Sequence, residues 1–206
     1  MAPSDSAGTP VAAADVDRSV EVALAALSHG LSKDWDVRAG DLTWSCRATA
    51  EHIASDLVAY AGQLTGRAQT RYVPFDVTLD RDADAAGMVD VIRATGGILG
   101  AVVRTAPQDI EVWHPYGMAD ASAVAAMGIV ELLVHTEDIC RGLGLVWEPP
   151  DAVCARVLSR LFPDVGQESG GWATLLWATG RTALPDRPRL DTWRWYNHRQ
   201  DGERSP

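Results

Sequence analysis

Apolar positions recur along most of the chain at the three- and four-residue spacing of amphipathic helices. Val16, Val20, Ala23, Leu24, Leu27 and Leu31 mark a first helical segment that starts at Asp15 or Asp17 and ends near Gly30. Ala50, Ile53, Ala54, Leu57, Val58, Ala61 and Leu64 mark a second over residues 49–64, with Thr49 as its cap. A third covers residues 83–104, with Met88, Val91, Ile92, Ile98, Leu99, Val102 and Val103 as its core. Its Gly96-Gly97 pair argues against a straight helix, since each glycine costs about 1 kcal/mol relative to alanine. Residues 71–79 alternate only in part and contain Pro74, so they form an extended loop or a short edge strand, and residues 110–120 form a loop.

The stretch from Ala125 to Arg141 departs from this pattern. Nearly every residue from Val124 to Val134 is apolar or small, so a helix here is greasy on most sides and central in the fold. Glu131 interrupts that surface. At 100° per residue Glu131, His135 and Asp138 fall within roughly 60° of one another, a polar stripe on a buried helix. An unpaired buried carboxylate is costly, so Glu131 and His135 must pair with each other, with a partner helix or with a metal ion. Asp120 or Ser122 caps this helix, and two shorter segments follow, over 151–162 and 171–180. The pattern predicts an all-α bundle of four main helices with additional C-terminal helices.

At 206 residues the chain suffices for one domain without staples. We expect a tail over residues 1–13, a single bundle domain over 14–198 and a frayed end over 199–206, with the Trp193-Arg194-Trp195-Tyr196 cluster docked on the body. A net charge of −10 without a basic cluster argues against nucleic acid. No run of 18 apolar residues is present and the N-terminus does not read as a secretory signal, so no membrane span is expected. Cys46, Cys140 and Cys154 are too few and too widely spaced for a zinc knuckle or a disulfide scaffold. They read as buried free thiols in a reducing cytoplasm.

Glu131 and His135, at i and i+4, can supply two ligands to a divalent metal, or act as an acid and a base, or simply satisfy one another in the core. A third ligand must come from another helix. Asp56 lies on the flank of the second helix, between Ile53, Leu57 and Tyr60, where it can turn inward or face water. His52 lies farther round, near the solvent pole.

The phrase Val130-Glu131-Leu-Leu-Val-His135-Thr-Glu-Asp138-Ile, followed by Gly142-Leu-Gly144, resembles the Glu-x-x-x-His-x-x-Asp signature of the mycothiol-dependent maleylpyruvate isomerase family, within the DinB-like four-helix-bundle superfamily. Cys46 through Leu57 is similar to that family's second-helix segment, and Leu161-Phe-Pro-Asp164 and Leu175-Leu-Trp-Ala-Thr-Gly-Arg181 to its short members. The resemblance spans residues 15–196. It implies a divalent metal, usually zinc, held by a His of the second helix and by Glu131 and His135. Where the family has His-Leu, this chain has Asp56-Leu57. Asp56 then completes the set, with some preference for Mn or Mg, or His52 enters by a change of register, or no metal binds. Asp138 either fixes the tautomer of His135 or pairs locally.

The resemblance further implies a transferase or isomerase that activates a low-molecular-weight thiol such as mycothiol against a small electrophilic substrate. A metal-free binding or interaction protein, or a non-thiol enzyme using Glu131 and His135, remains open, as does a homodimer. Eight tryptophans are many for this length. Trp44, Trp113, His114 and Tyr116 lie in loops that, in an up-down bundle, gather at one end of the helices; with Tyr60 they form a candidate pocket, or they are ordinary lid packing. Arg141 and Arg181 offer an anion two partners, or form surface ion pairs.

Overall fold

The computed structural model describes residues 10–198. Helices account for most of them: α1 (Ala13–Ser28), α2 (Cys46–Gly66), α3 (Ala85–Thr105), α4 (Ala121–Gly142), α5 (Asp151–Leu161) and α6 (Gly171–Ala178). A minimal antiparallel pair, β1 (Glu111–Val112) and β2 (Ala119–Asp120), ties off the loop before α4. The fold is all-α. Of the expected tails, residues 1–9 and 199–206 lie outside the described residues; within the rest of the expected N-terminal tail, which extends to residue 13, Val11 is buried and α1 begins at Ala13.

Local capping explains where the helices start. Asp15 lies inside the first turn of α1, its carboxylate accepting the Ala12 N–H at 3.0 Å. Ser45, four residues earlier than the expected Thr49, caps α2 by accepting from the Ala48 N–H at 3.2 Å. The Thr49 hydroxyl instead donates to the Ser45 carbonyl at 2.9 Å from within the helix. Asp120 caps α4, accepting from the Ala123 N–H at 2.7 Å.

The glycine pair does not break α3, which runs unbroken through it. A Cβ on Gly96 would stand 2.5 Å from Val20 Cγ2, so this glycine lets α1 and α3 cross closely. In length and mean hydropathy, 1.5, α3 is apolar enough to cross a membrane. Asp90 and Arg93 interrupt its apolar run, so no stretch of 18 uninterrupted apolar residues occurs in it. One face of α3, including Met88, Ile92 and Leu99, belongs to the core shared with α1, α2 and α4, while Ile98 on the other is 47% exposed.

In the bundle α1 packs against α3 and α4, and α2 against the same two helices. Consecutive helices α1 and α2 thus occupy opposite corners, joined by residues 29–45, in which Trp35 is buried and donates to the Gly30 carbonyl at 2.9 Å. α2 and α4 run antiparallel: Cys46 at the start of α2 lies against Ile139 near the end of α4, and Gln63 near the end of α2 donates to the Trp113 carbonyl before α4. Most of α4 is buried, since α5 and the C-terminal segment cover the face that α1 and α2 leave open. The Tyr196 N–H donates to the Leu161 carbonyl at 2.8 Å and Trp195 is buried, so the aromatic cluster docks on the body.

Candidate metal centre

The site forms where α2 crosses α4. Glu131 and His135 share one face of α4, and the Glu131 Oε2 lies 3.2 Å from the His135 Nε2. From α2 comes His52, not near the solvent pole but leaning across the crossing, its Nε2 3.7 Å from the same Glu131 oxygen. The two imidazoles meet edge to face with centroids 4.8 Å apart. One ligand atom from each of His52, Glu131 and His135 lies within 4.8 Å of the other two.

Two imidazole nitrogens and a carboxylate suit a divalent ion such as zinc, with a fourth position left open. Bonds of about 2.0–2.2 Å in a tetrahedron place ligand atoms about 3.4 Å apart, and the separations of 3.2 and 3.7 Å straddle that spacing. The group could hold a metal ion without rebuilding the bundle.

Asp56, the expected third ligand, falls outside this group. It sits one turn beyond His52, with its Oδ2 3.2 Å from the His52 Nε2. The correction has a geometric cause. Counting 100° per residue fixes where a side chain leaves the helix, not how far it reaches, and an imidazole spans a crossing that the shorter carboxylate does not. Asp56 instead lines the adjacent cavity. Burial, reinforced by the charge of Glu131, raises its pKa to about 7 against the opposing pull of the two histidines.

Asp138 stands behind His135 as one of the two expected arrangements required. Its Oδ2 accepts from the His135 Nδ1 at 3.0 Å and from Arg181 Nη2 at 2.9 Å. Burial disfavours the charged ring of His135, but the hydrogen bonds to Asp138 and Glu131 outweigh it and raise the pKa to about 9. Burial likewise opposes the charge of Glu131, yet its bonds to His135 and His52 lower its pKa to about 2. Arg181 thereby binds a buried carboxylate rather than a ligand, and Arg141 pairs with Asp41 at 3.3 Å.

Comparison with protein-family models, with curated proteins and with solved structures returned no match. The site's chemistry therefore has to be read from its own residues.

A cavity of about 680 Å³ opens beside the centre, reached by Glu131 and Asp56 from the helices. Tyr60, His114 and Tyr116, three of the pocket candidates, line it together with Tyr72, Trp193 and Trp195. Burial lowers the pKa of His114 to about 4, and its Nδ1 accepts from the Tyr116 N–H at 3.1 Å, so the ring is neutral. Trp113 does not line the cavity; it packs edge-on behind Tyr72, centroids 5.5 Å apart. Trp44 stands 4.9 Å from the His52 ring and 6.3 Å from that of His135, 44% exposed, as a cover over the imidazoles.

These loops do not gather at one end. Because α2 and α4 are antiparallel, Trp44 precedes α2 at the end where α4 finishes, while His114 and Tyr116 precede α4 at the other. They flank a centre placed partway along the helices. Sequence reading placed His52 only as an alternative to Asp56, reached by a change of register, named Arg181 without its partner Asp138, and missed Tyr72 as a wall of the cavity; the tryptophan cluster signalled docking but not a pocket wall. The three cysteines are buried free thiols whose pKa values burial pushes up to about 11 for Cys46 and about 12 for Cys140 and Cys154, which makes them poor nucleophiles.

Proposed function

We propose that the chain is a metal-dependent enzyme that activates a small thiol, or water, for transfer to an electrophilic substrate bound in the aromatic cavity. The observation that carries this reading is the convergence of His52, Glu131 and His135 from two helices, beside a cavity large enough for a substrate. With His52 in place the donor set has the composition that the resemblance to the mycothiol-dependent maleylpyruvate isomerase family implies. That resemblance supports a DinB-like bundle, zinc as the ion and a mycothiol-type thiol as co-substrate. Three buried free thiols fit a reducing compartment such as the cytoplasm.

A bound divalent ion would supply a Lewis acid that lowers the pKa of a coordinated thiol or water towards neutrality. The protein's own groups do the rest. Asp138 holds the Nδ1 proton of His135, which leaves Nε2 to face the centre, and Arg181 keeps Asp138 ionised. Asp56, within 3.2 Å of His52 and lining the cavity, is the carboxylate placed to take a proton during activation and return it to the product. Trp44 limits water at the imidazoles.

A second reading is favoured by one specific fact: Glu131 is already paired with both histidines, so the cluster is electrostatically satisfied without an ion. On that reading the cavity belongs to a metal-free binding protein, or Glu131 and His135 serve as acid and base. Elemental analysis of untagged protein separates the readings. The metal reading expects one divalent ion per chain and a lower melting temperature in chelator. Absence of stoichiometric metal with an unchanged melting temperature would overturn it.

A further inference from the structure

We propose that the cavity beside the metal centre selects a small organic cation, a substrate bearing an alkylammonium group of about the size of trimethylammonium. This rests on the reading above in taking the cavity as the substrate side of that centre.

The charge of the lining points one way. Asp56 and Glu131 stand at its inner end and Asp76 at its outer end, and no lysine or arginine is among the residues that line it. His114 adds no positive charge, because burial keeps it neutral. Even with Glu131 committed to a divalent ion, Asp56 and Asp76 still line the remaining volume, so an anionic group meets carboxylates and no cationic side chain there. The same carboxylates leave a mark on their neighbours: after burial, the charges of Glu131 and Asp56 are the next causes that raise the pKa of Tyr60 and of Tyr72.

The shape of the lining adds a second, independent reason. Tyr116 and Trp195 meet nearly at right angles, 81°, with centroids 5.9 Å apart, and Trp193 extends this corner at 5.6 Å from Trp195. Opposite pairs such as Tyr72 and His114 are also perpendicular, at 85° and 5.9 Å. Ring faces carry negative potential, so a wall built of Tyr72, Tyr116, Trp193 and Trp195 attracts a diffuse, weakly hydrated ammonium more than a neutral group of the same shape. Aromatic faces and carboxylates together suit a cation whose charge is spread over methyl groups, since it gives up little hydration on entry. A neutral alkyl group gains only the contact, and a carboxylate loses on both counts.

Choline and its isosteric neutral carbon analogue 3,3-dimethylbutan-1-ol test the charge alone, and 3,3-dimethylbutanoate, of similar size, adds an anion. Binding is measured by calorimetry on the full chain, stripped of metal and again after cobalt loading, with cobalt binding followed separately by its absorption spectrum. We expect choline to bind about 10-fold or more tightly than the neutral analogue, and the anion to bind weaker still to stripped protein. Tyr116→Leu and Asp76→Asn, both at exposed positions, should each lower choline affinity by about 3- to 10-fold while leaving the neutral analogue and the melting temperature unchanged. Equal binding of choline and its neutral analogue, preference for the anion, or no binding of any probe by folded protein would overturn the proposal. Choline preference without cobalt binding sinks the metal reading alone; cobalt binding without choline preference sinks the cation pocket alone.

Discussion

At the scale of single residues, the centre depends on side chains whose partners lie on different helices. His135 and Glu131 are legible in sequence because they share one helix face, and Asp138 because it follows one turn on. His52 is legible only as an alternative to Asp56, since its role depends on the angle at which α2 crosses α4 and on the reach of an imidazole. The two residues give opposite expectations. His52→Ala should weaken metal binding by at least about 100-fold, whereas Asp56→Asn should leave it within about 10-fold, as read by cobalt or zinc titration. Comparable losses in both would return Asp56 to the ligand set. Asp138→Asn removes the charge from the acceptor that holds the His135 Nδ1 proton and should cost about 10- to 100-fold in metal affinity, measured in the same titration; unchanged affinity would reduce Asp138 to a local ion-pair partner.

At the scale of elements, the helices follow from periodic apolar positions, but their ends and contacts depend on features a periodicity does not weigh. Thr49 and Ser45 are both good caps, and burial of Cys46 on the face towards α4 favours the earlier start. Gly96-Gly97 has two causes superposed: a backbone cost visible in sequence and a close helix crossing visible only in three dimensions. The pair yields a matched prediction. Gly97→Ala meets open space and should stabilise α3 by up to about 1 kcal/mol. Gly96→Ala drives its methyl into Val20, a β-branched side chain with little freedom to move, and should destabilise by about 1–3 kcal/mol despite the better helix propensity. Denaturant midpoints of the two variants check the opposite signs, and a stabilised Gly96→Ala would mean that α1 and α3 can separate at no cost.

At the scale of the whole molecule, the all-α class was legible and the spatial order of the helices was not. A connection of residues 29–45 is long enough to carry the chain to either an adjacent or an opposite corner, and only packing decides. That placement sets α2 antiparallel to α4 and brings aromatic loops to the centre from two ends. It also buries His114 against Tyr60, Tyr72 and Trp195, with a consequence for global stability. Burial depresses its pKa from 6.5 to about 4, so the folded state prefers the neutral ring. The contribution is full above about pH 6.5 and is lost as pH falls through 4. The stability difference between wild type and His114→Asn, which keeps an acceptor for the Tyr116 N–H, should therefore shrink across that window in wild type's disfavour; a difference independent of pH would contradict a neutral buried ring.

The central claim concerns the ligand set, and its most direct measurement is a crystal structure of the zinc-loaded chain with the ion located by anomalous scattering. The account predicts one peak between α2 and α4, about 2.0–2.2 Å from a nitrogen of His52, a nitrogen of His135 and an oxygen of Glu131. A peak bonded to Asp56 instead of His52, or no peak at a zinc concentration that saturates other zinc proteins, would contradict it.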